Sequence, residues 1–213
     1  MKTPSVAAEL DHLVYAVPDL DEAVDRLEER LGVRALAGGR HSGEGTRNAL
    51  IGLGRDSYLE ILAPDPEEPP PDRPLWLGLE GLTQARLTAW AVKARGLEGL
   101  VARAREMRVR LGPAIEGSRR RSDGTRLFWK FTDPHVVVAG GLVPFFIDWG
   151  ASPHPAASAP GGASLSALRG EHPNPAGAAA LLRSLGLELP VTKGPRPALI
   201  AVLDTPRGLI ELR

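Results

Sequence analysis

A single histidine and a single glutamate occupy two short apolar segments near the start of the chain. His12 lies in LDHLVYAVPDL (10–20), and Glu60 lies in YLEILAP (58–64). Both segments have the length and apolar content of strands, in which alternate side chains share a face. An ionised carboxylate among Leu and Ile needs a partner, because unpaired burial of a charge is costly. We therefore expect Glu60 to be a catalytic base or a metal ligand, partnered by a metal ion, His12 or an arginine such as Arg126.

Three further polar side chains, His41, Thr46 and Asn48, lie in the glycine-rich segment GGRHSGEGTRNALIGLG (38–54). Glycine lets backbone amides approach a ligand closely, and Thr and Asn side chains fix the orientation of a bound molecule. Ordinary turn chemistry accounts for Gly43, but it explains His41 and Asn48 less well. We predict that His41, Thr46 and Asn48 bind a substrate.

The elements that position these residues form a unit that recurs along the chain. In the first copy, about 9–64, the strand containing His12 is followed by a helix, the glycine-rich segment and the strand containing Glu60. Asp19 is placed to cap the helix and Gly32 to end it, with apolar residues at helical spacing between them. A β-α-β-β-β unit of this size cannot bury its apolar faces alone, so it must pack against another copy.

Two weaker copies follow. The second covers about 85–150, where SDGTRLFWKFT matches GEGTRNALIGL of the first copy at Gly-Thr-Arg. The third covers 163–213 and has a helix with Asn174 as its cap and Pro175 at its first position. The first two copies are predicted to form one domain over 1–150. Because three is an odd number, the third unit packs on that domain or pairs across a homodimer interface.

Composition narrows the classes of function. The 26 basic and 26 acidic residues balance, so no overall charge points to nucleic acid or to a membrane surface. No apolar run reaches the ~20 residues of a membrane span, and the absence of cysteine excludes disulfides and thiolate chemistry. We expect a cytoplasmic globular protein. Nine basic residues face three acidic ones between Arg103 and Lys130, which either steers an anionic substrate or forms a solvated helix and hairpin.

The chain resembles the glyoxalase-like branch of the vicinal oxygen chelate superfamily. The resemblance is carried by LDHLVYAVPDL, RHSGEGTRNALIGLG, YLEILAPDP and PFFIDWGASPHP, and it covers about 9–155 well and 163–213 by unit pattern alone. It implies an α+β fold in which repeated βαβββ units form curved mixed sheets, paired into an open cup around a small-molecule site. In metal-dependent members, the first and last strands of both paired units bind one divalent ion.

The resemblance places His12 and Glu60 on two of those ligand positions. It implies that their strands are neighbours and that both side chains point into the same concavity. An imidazole and a carboxylate supply half of a usable site for zinc, manganese, iron or nickel.

The other half of such a site is not visible in the sequence. In the second unit the corresponding residues are Leu87 and Ile147, or Asp148 after a one-residue shift. In the third unit they are Ala167 and Glu211, so Glu211 is the only additional ligand that unit offers. A metal site with at most three ligands and a metal-free site both remain open.

Two residues near the end of the second unit also resemble positions typical of this branch. They are Asp148 in FFIDWG and His154 in PHP, and we predict that both contact the substrate. Neighbouring Phe145, Phe146 and Trp149 could wall an apolar pocket. The alternative is that the aromatic residues form core and that Asp148 caps the following turn.

We therefore predict a small-molecule enzyme of lyase, isomerase or dioxygenase type, acting on a substrate with vicinal oxygens. In that reading Glu60 moves a proton, while a metal ion or the His12–Glu60 pair stabilises an enediolate-like oxyanion. The alternative is a metal-free protein that binds and sequesters a small molecule, as bleomycin-resistance-type members do.

Overall fold

The computed structural model describes residues 9–41, 43–69, 71–121 and 124–213. The first unit contains β1 (Leu10–Ala16), α1 (Leu20–Leu31), β2 (Leu36–His41), β3 (Thr46–Gly52) and β4 (Tyr58–Pro64). The second contains β5 (Arg86–Lys93), α2 (Leu97–Glu106), β6 (Ala114–Arg120), β7 (Arg126–Thr132) and β8 (Phe145–Asp148). The third contains β9 (Ser164–His172), α3 (Pro175–Ser184), β10 (Val191–Lys193), β11 (Ala198–Thr205) and β12 (Gly208–Leu212). None of the helices in these ranges has the length and apolar character needed to span a bilayer.

The first two units pair into one eight-stranded sheet with the order β1-β4-β3-β2-β6-β7-β8-β5. In each unit the last strand runs parallel to the first, β4 beside β1 and β8 beside β5. The predicted α+β fold of paired βαβββ units is confirmed. The predicted open cup is a closed barrel, because β1 pairs with β5 on one side and β2 pairs with β6 on the other.

The helix α1 forms where the sequence predicts it and covers the outside of the barrel. Asp19 caps it by accepting a hydrogen bond from the Glu22 N–H at 2.9 Å, and Gly32 ends it in the left-handed region at φ 74°. Its buried residues Leu27 and Leu31 join the same cluster as Leu13 of β1. Because strand side chains alternate, this outward packing leaves the opposite face of β1 for the barrel interior.

The two seams that close the barrel are unequal. The β1–β5 seam extends from Leu10↔Val92 to Ala16↔Arg86 with two shifts in register, whereas among the described residues the β2–β6 seam has the single pair Arg40↔Arg120. At the second seam a Cβ on Gly39 would lie 2.1 Å from the Arg120 carbonyl oxygen, and Gly39 has a φ of 142°. Glycine is therefore required here for both conformation and close approach.

The third unit has the predicted element order but a different strand order, β10-β9-β11-β12. Its second strand, β10, pairs parallel with β9, and β11 separates β9 from β12. The unit packs on the barrel, because Leu203 of β11 and Leu212 of β12 belong to one buried cluster with Leu13. In the barrel units the last strand is next to the first, whereas in this unit β11 separates them.

Candidate functional site

The interior of the barrel contains a cavity. Its walls are mainly aromatic and aliphatic, with a few convergent polar side chains, which is the usual make-up of a small-molecule site. The polar lining residues are His12, His41, Asn48, Tyr58, Glu60 and Arg119. The apolar lining includes Trp76, Trp129, Phe131, Phe145, Ile147 and Trp149.

His12 is held by the carboxylate of the residue that precedes it. Its Nδ1 lies 2.6 Å from Asp11 Oδ1, and its ring stacks on Tyr58 with centroids 4.7 Å apart. Consecutive strand residues ordinarily face opposite sides, but β1 shifts register between Leu10 and His12. Asp11 is the unpaired residue of this β-bulge, and the bulge places its side chain on the same side of the strand as that of His12. The Nε2 atom of His12 is left facing Glu60.

Asp11 is fully buried and its carboxylate is surrounded by donors. Besides His12, the Trp149 Nε1–H donates to Oδ2 at 3.0 Å, and His154 Nε2 lies 3.0 Å from the same oxygen. The Ala156 N–H donates to His154 Nδ1, so Nε2 carries the proton that His154 donates to Asp11. Burial raises the pKa of Asp11, but the hydrogen bonds from His12 and His154 outweigh burial and hold that pKa well below its usual range.

Glu60 is 8 % exposed and faces two histidines and an amide. Its Oε2 lies 3.5 Å from His12 Nε2, and its Oε1 lies 3.8 Å from His41 Nε2. The Asn48 side-chain amide donates to Oε1. Asn48 in turn accepts from Arg119 Nη1 at 2.9 Å through its Oδ1. Because arginine only donates, this bond fixes which end of the Asn48 amide faces Glu60.

His41 is a neutral member of the same network. Burial lowers the pKa of His41 to about 4, although the nearby Glu60 charge opposes the fall. Its Nδ1 lies 2.9 Å from Thr46 Oγ1, and its Nε2 lies 3.5 Å from Asn48 Nδ2. With the proton on Nδ1, His41 donates to Thr46 and presents an acceptor to Asn48.

The cavity therefore brings together four of the predicted site residues, namely His12, Glu60, His41 and Asn48. Thr46 and His154 lie one contact behind, against His41 and Asp11 respectively. Asp148 is not in the cavity lining, and its carboxylate accepts from the Gly150 N–H at 2.9 Å, as a turn cap does.

Glu211 does not reach the cavity group, which corrects its placement as a further ligand. It lies on β12 of the second sheet, and its carboxylate accepts from Arg169 at 2.8 Å. The correspondence to Glu60 fails because β11 lies between β12 and β9, whereas β4 is directly beside β1.

The donors in the cavity do not fit a divalent metal site. His12 Nδ1, Glu60 Oε1 and His41 Nε2 already have partners, which leaves His12 Nε2 and Glu60 Oε2. Catalytic zinc sites use three protein ligands. The second unit adds none, since its interior residues on β5 and β8 are Ala89, Ala91, Phe145 and Ile147. Among the described residues, no group of three or more His, Cys, Asp or Glu side chains is arranged to hold a metal ion.

Two residues of the site escape an analysis of the sequence. Asp11 is hidden because strict alternation assigns it to the face opposite His12, and only the shift in register reverses that. Arg119 is hidden in the run Arg119-Arg120-Arg121, which resembles a solvated charge cluster. The signal for Arg119 was available, since alternation along β6 buries one member of such a run and exposes the next.

The chain is similar to one family model and to several solved structures. A family model described as a glyoxalase-like domain matches residues 10–186. A hypothetical protein from Staphylococcus aureus superposes with a TM-score of 0.64 at 16% identity, covering 95% of this chain and 83% of its own. Methylmalonyl-CoA epimerase from Mycobacterium tuberculosis gives a TM-score of 0.46 at 23% identity, covering 74% of this chain and 97% of its own. No match is found among curated proteins.

Proposed function

Because this chain belongs to the glyoxalase-like domain family, we propose that its barrel cavity is an enzyme site for proton transfer on a small molecule. The single observation that carries the proposal is the pair formed by Glu60 Oε2 and His12 Nε2, which face each other at 3.5 Å in the cavity. Asp11 supports His12 from behind at 2.6 Å. A carboxylate, an imidazole and a second orienting carboxylate form a general acid–base arrangement.

In the proposed reaction Glu60 removes a proton from a carbon atom next to a carbonyl group. The C–H electron pair forms a new C=C bond, and the carbonyl π electrons move onto oxygen to give an enediolate-like oxyanion. His12 in its protonated form stabilises this oxyanion by donating from Nε2, while Asp11 offsets the positive charge of the ring. Protonated Glu60 then returns the proton to the same or the adjacent carbon, which completes an epimerisation or an isomerisation.

The other cavity residues support this chemistry without a metal ion. Asn48 orients the Glu60 carboxylate, and neutral His41 lies beside Glu60 without adding a competing positive charge. The aromatic walls exclude water from the oxyanion and strengthen its electrostatic contacts. The proposal is therefore an isomerase or epimerase, and it includes no lyase or dioxygenase step.

A sequestering protein is the second candidate function, and one observation favours it. Of the strands that correspond to β1 and β4 in the second unit, β8 lines the cavity with the apolar residues Phe145 and Ile147, and no described residue of β5 is in the lining. A site built for binding alone needs no acid–base pair on that side. The two candidates differ in one property, which is exchange of a substrate C–H proton with solvent.

Deuterium exchange tests the proposal directly. The protein is incubated in D₂O with a panel of small 2-oxo and 2-hydroxy carbonyl compounds, and loss of the C–H signal is followed by proton NMR. We expect exchange with at least one compound, and a fall of roughly 10²-fold or more in Glu60→Gln, because general-base catalysis contributes about that factor. Glu106→Gln, at an exposed position on α2, is the matched control.

Two results would contradict the assignment. Full exchange in a folded Glu60→Gln variant would remove Glu60 as the base. Binding of compounds without any exchange by the unmodified protein would favour the sequestering function.

A further inference from the structure

Arg119 is a buried cation that the proposed proton transfer does not use. It lies on β6, is 3 % exposed and lines the cavity. Its Nη1 donates to Asn48, but its Nε has no hydrogen-bond partner within the described ranges. No carboxylate there forms an ion pair with it, and its link to Glu60 runs through the neutral Asn48 amide. Burial lowers the pKa of Arg119, yet a guanidinium remains charged near neutral pH.

A second buried donor lines the same cavity without a partner. Trp76, in the short 3₁₀ turn Trp76–Gly78, is 7 % exposed, and its Nε1–H meets no acceptor in the part of the chain that the structure describes. Both unmatched groups are donors only, so a molecule that satisfies them must bring acceptors. Leaving such groups unsatisfied costs free energy, and a charged donor costs the most.

We propose that Arg119 binds a carboxylate group of the ligand, so that the cavity selects small monocarboxylic acids with an apolar or aromatic body. A carboxylate supplies acceptor atoms for these donors, and its negative charge pairs with the Arg119 guanidinium. The rest of the molecule contacts the rings that line the cavity, among which Phe131 and Phe145 pack edge to face with centroids 6.2 Å apart. This assignment names the substrate class of the proposed enzyme and rests on that function for its reaction, whereas the binding itself is independent of turnover.

A glycine on the neighbouring strand makes room for this arrangement. A Cβ on Gly38 would lie 2.2 Å from Asn48 Oδ1 and 2.6 Å from Arg119 Nη1. A side chain at this position must therefore displace the contact that aims the guanidinium. Gly38→Ala changes the placement of Arg119 without changing any charge. The variant therefore distinguishes the effect of guanidinium orientation on binding from the effect of its charge.

Calorimetric titration of matched acids and amides tests the proposal. The probes are benzoate and phenylacetate, each compared with its neutral amide, and titrated into the unmodified protein and its variants. We expect at least one acid to bind tenfold or more tightly than its amide. Arg119→Gln removes that preference, and Gly38→Ala weakens acid binding. Arg120→Gln, which removes the exposed charge next along β6, leaves the preference intact.

Several outcomes overturn the proposal. The unmodified protein could bind acids and amides with equal affinity, or bind no acid at millimolar concentration. Folded Arg119→Gln could also keep the preference for an acid over its amide. If Arg119→Gln fails to fold, Arg119→Lys takes its place, and a partial loss of the preference is expected because lysine keeps charge but not the planar donor geometry. Acid binding that persists in an exchange-inactive Glu60→Gln variant supports anion recognition and tests it separately from catalysis.

Discussion

His41 is the residue whose protonation state is most strongly set by its surroundings. Burial holds its pKa near 4, and its two ring nitrogens are used by Thr46 and Asn48 as a neutral imidazole requires. His12, by contrast, faces two carboxylates, Asp11 and Glu60. In the proposed reaction the two histidines beside Glu60 therefore differ, because His41 stays neutral and His12 donates to the oxyanion.

The buried state of His41 predicts a pH dependence of stability. The pKa is about 6.5 in the unfolded chain and about 4 in the folded protein. Between these values the unfolded state binds a proton that the folded state does not, so the free energy of unfolding falls as the pH is lowered from about 6.5 to about 4. The difference corresponds to roughly 3 kcal/mol. Above pH 6.5 His41 adds no slope.

Chemical denaturation at pH 7, 6, 5 and 4 measures this dependence. We expect the free energy of unfolding of His41→Gln to depend less on pH between 6.5 and 4, because glutamine does not titrate. Glutamine can still donate and accept hydrogen bonds. His172→Gln removes a histidine on β9, outside the cavity, and serves as the control. Identical slopes in the unmodified protein and His41→Gln would show that His41 is not buried in its neutral form.

At the scale of elements, the β2–β6 seam closes the barrel with few backbone pairs and requires glycine at position 39. Among the described residues only Arg40↔Arg120 pairs across it, and the strands approach closely because Gly39 has no side chain. The β1–β5 seam carries most of the backbone pairing between the two units.

Substitution of Gly39 tests how far closure depends on this approach. Gly39→Ala places a methyl group against the Arg120 carbonyl and adds strain at a φ of 142°, so we expect the free energy of unfolding to fall by roughly 2 kcal/mol or more. Gly54→Ala is the matched control, because Gly54 has a φ of 133° but no atom within 4 Å of an added Cβ. A loss in Gly39→Ala no greater than in Gly54→Ala, measured by denaturant unfolding, would mean that the seam adapts.

The barrel and part of its site were predictable because their signals are local. Strand alternation and the helix cap located β1, α1 and β4, and with them His12 and Glu60. The strand order of the third unit was not predictable, since β10 (VTK) and β12 (GLIEL) are too short for their residue types to specify a neighbouring strand. Asp11 was missed because a one-residue shift in backbone pairing leaves no mark in the residue types.

At the scale of the whole molecule, the barrel and the second sheet share one apolar core. Leu203 of β11 is fully buried in the cluster that contains Leu13 of β1 and Trp90 of β5. The four tryptophans all lie between Trp76 and Trp149, in the barrel portion of the chain. Tryptophan fluorescence therefore reports on the barrel, even when the second sheet carries the substitution.

This distribution gives a test of cooperative unfolding. We expect Leu203→Ala to lower the free energy of unfolding by about 2–5 kcal/mol, the usual cost of a buried Leu→Ala change. The fluorescence midpoint should move together with the far-ultraviolet circular dichroism midpoint, because one core joins both sheets. Leu209→Ala, at a position 68 % exposed on β12, is the control. An unmoved fluorescence midpoint in Leu203→Ala would show two independently folding parts.

The unequal seams have a consequence for any molecule that occupies the cavity. Glu60 belongs to the half of the barrel formed by β1–β4, and Arg119 belongs to the half formed by β5–β8. Between these halves, the Arg119–Asn48 bond reinforces the edge where the backbone contributes one pair within the described ranges. A ligand held by Glu60 from one half and by Arg119 from the other tethers the barrel at this least-connected edge. Occupancy of the cavity and rigidity of the barrel then rise and fall together, by thermodynamic linkage.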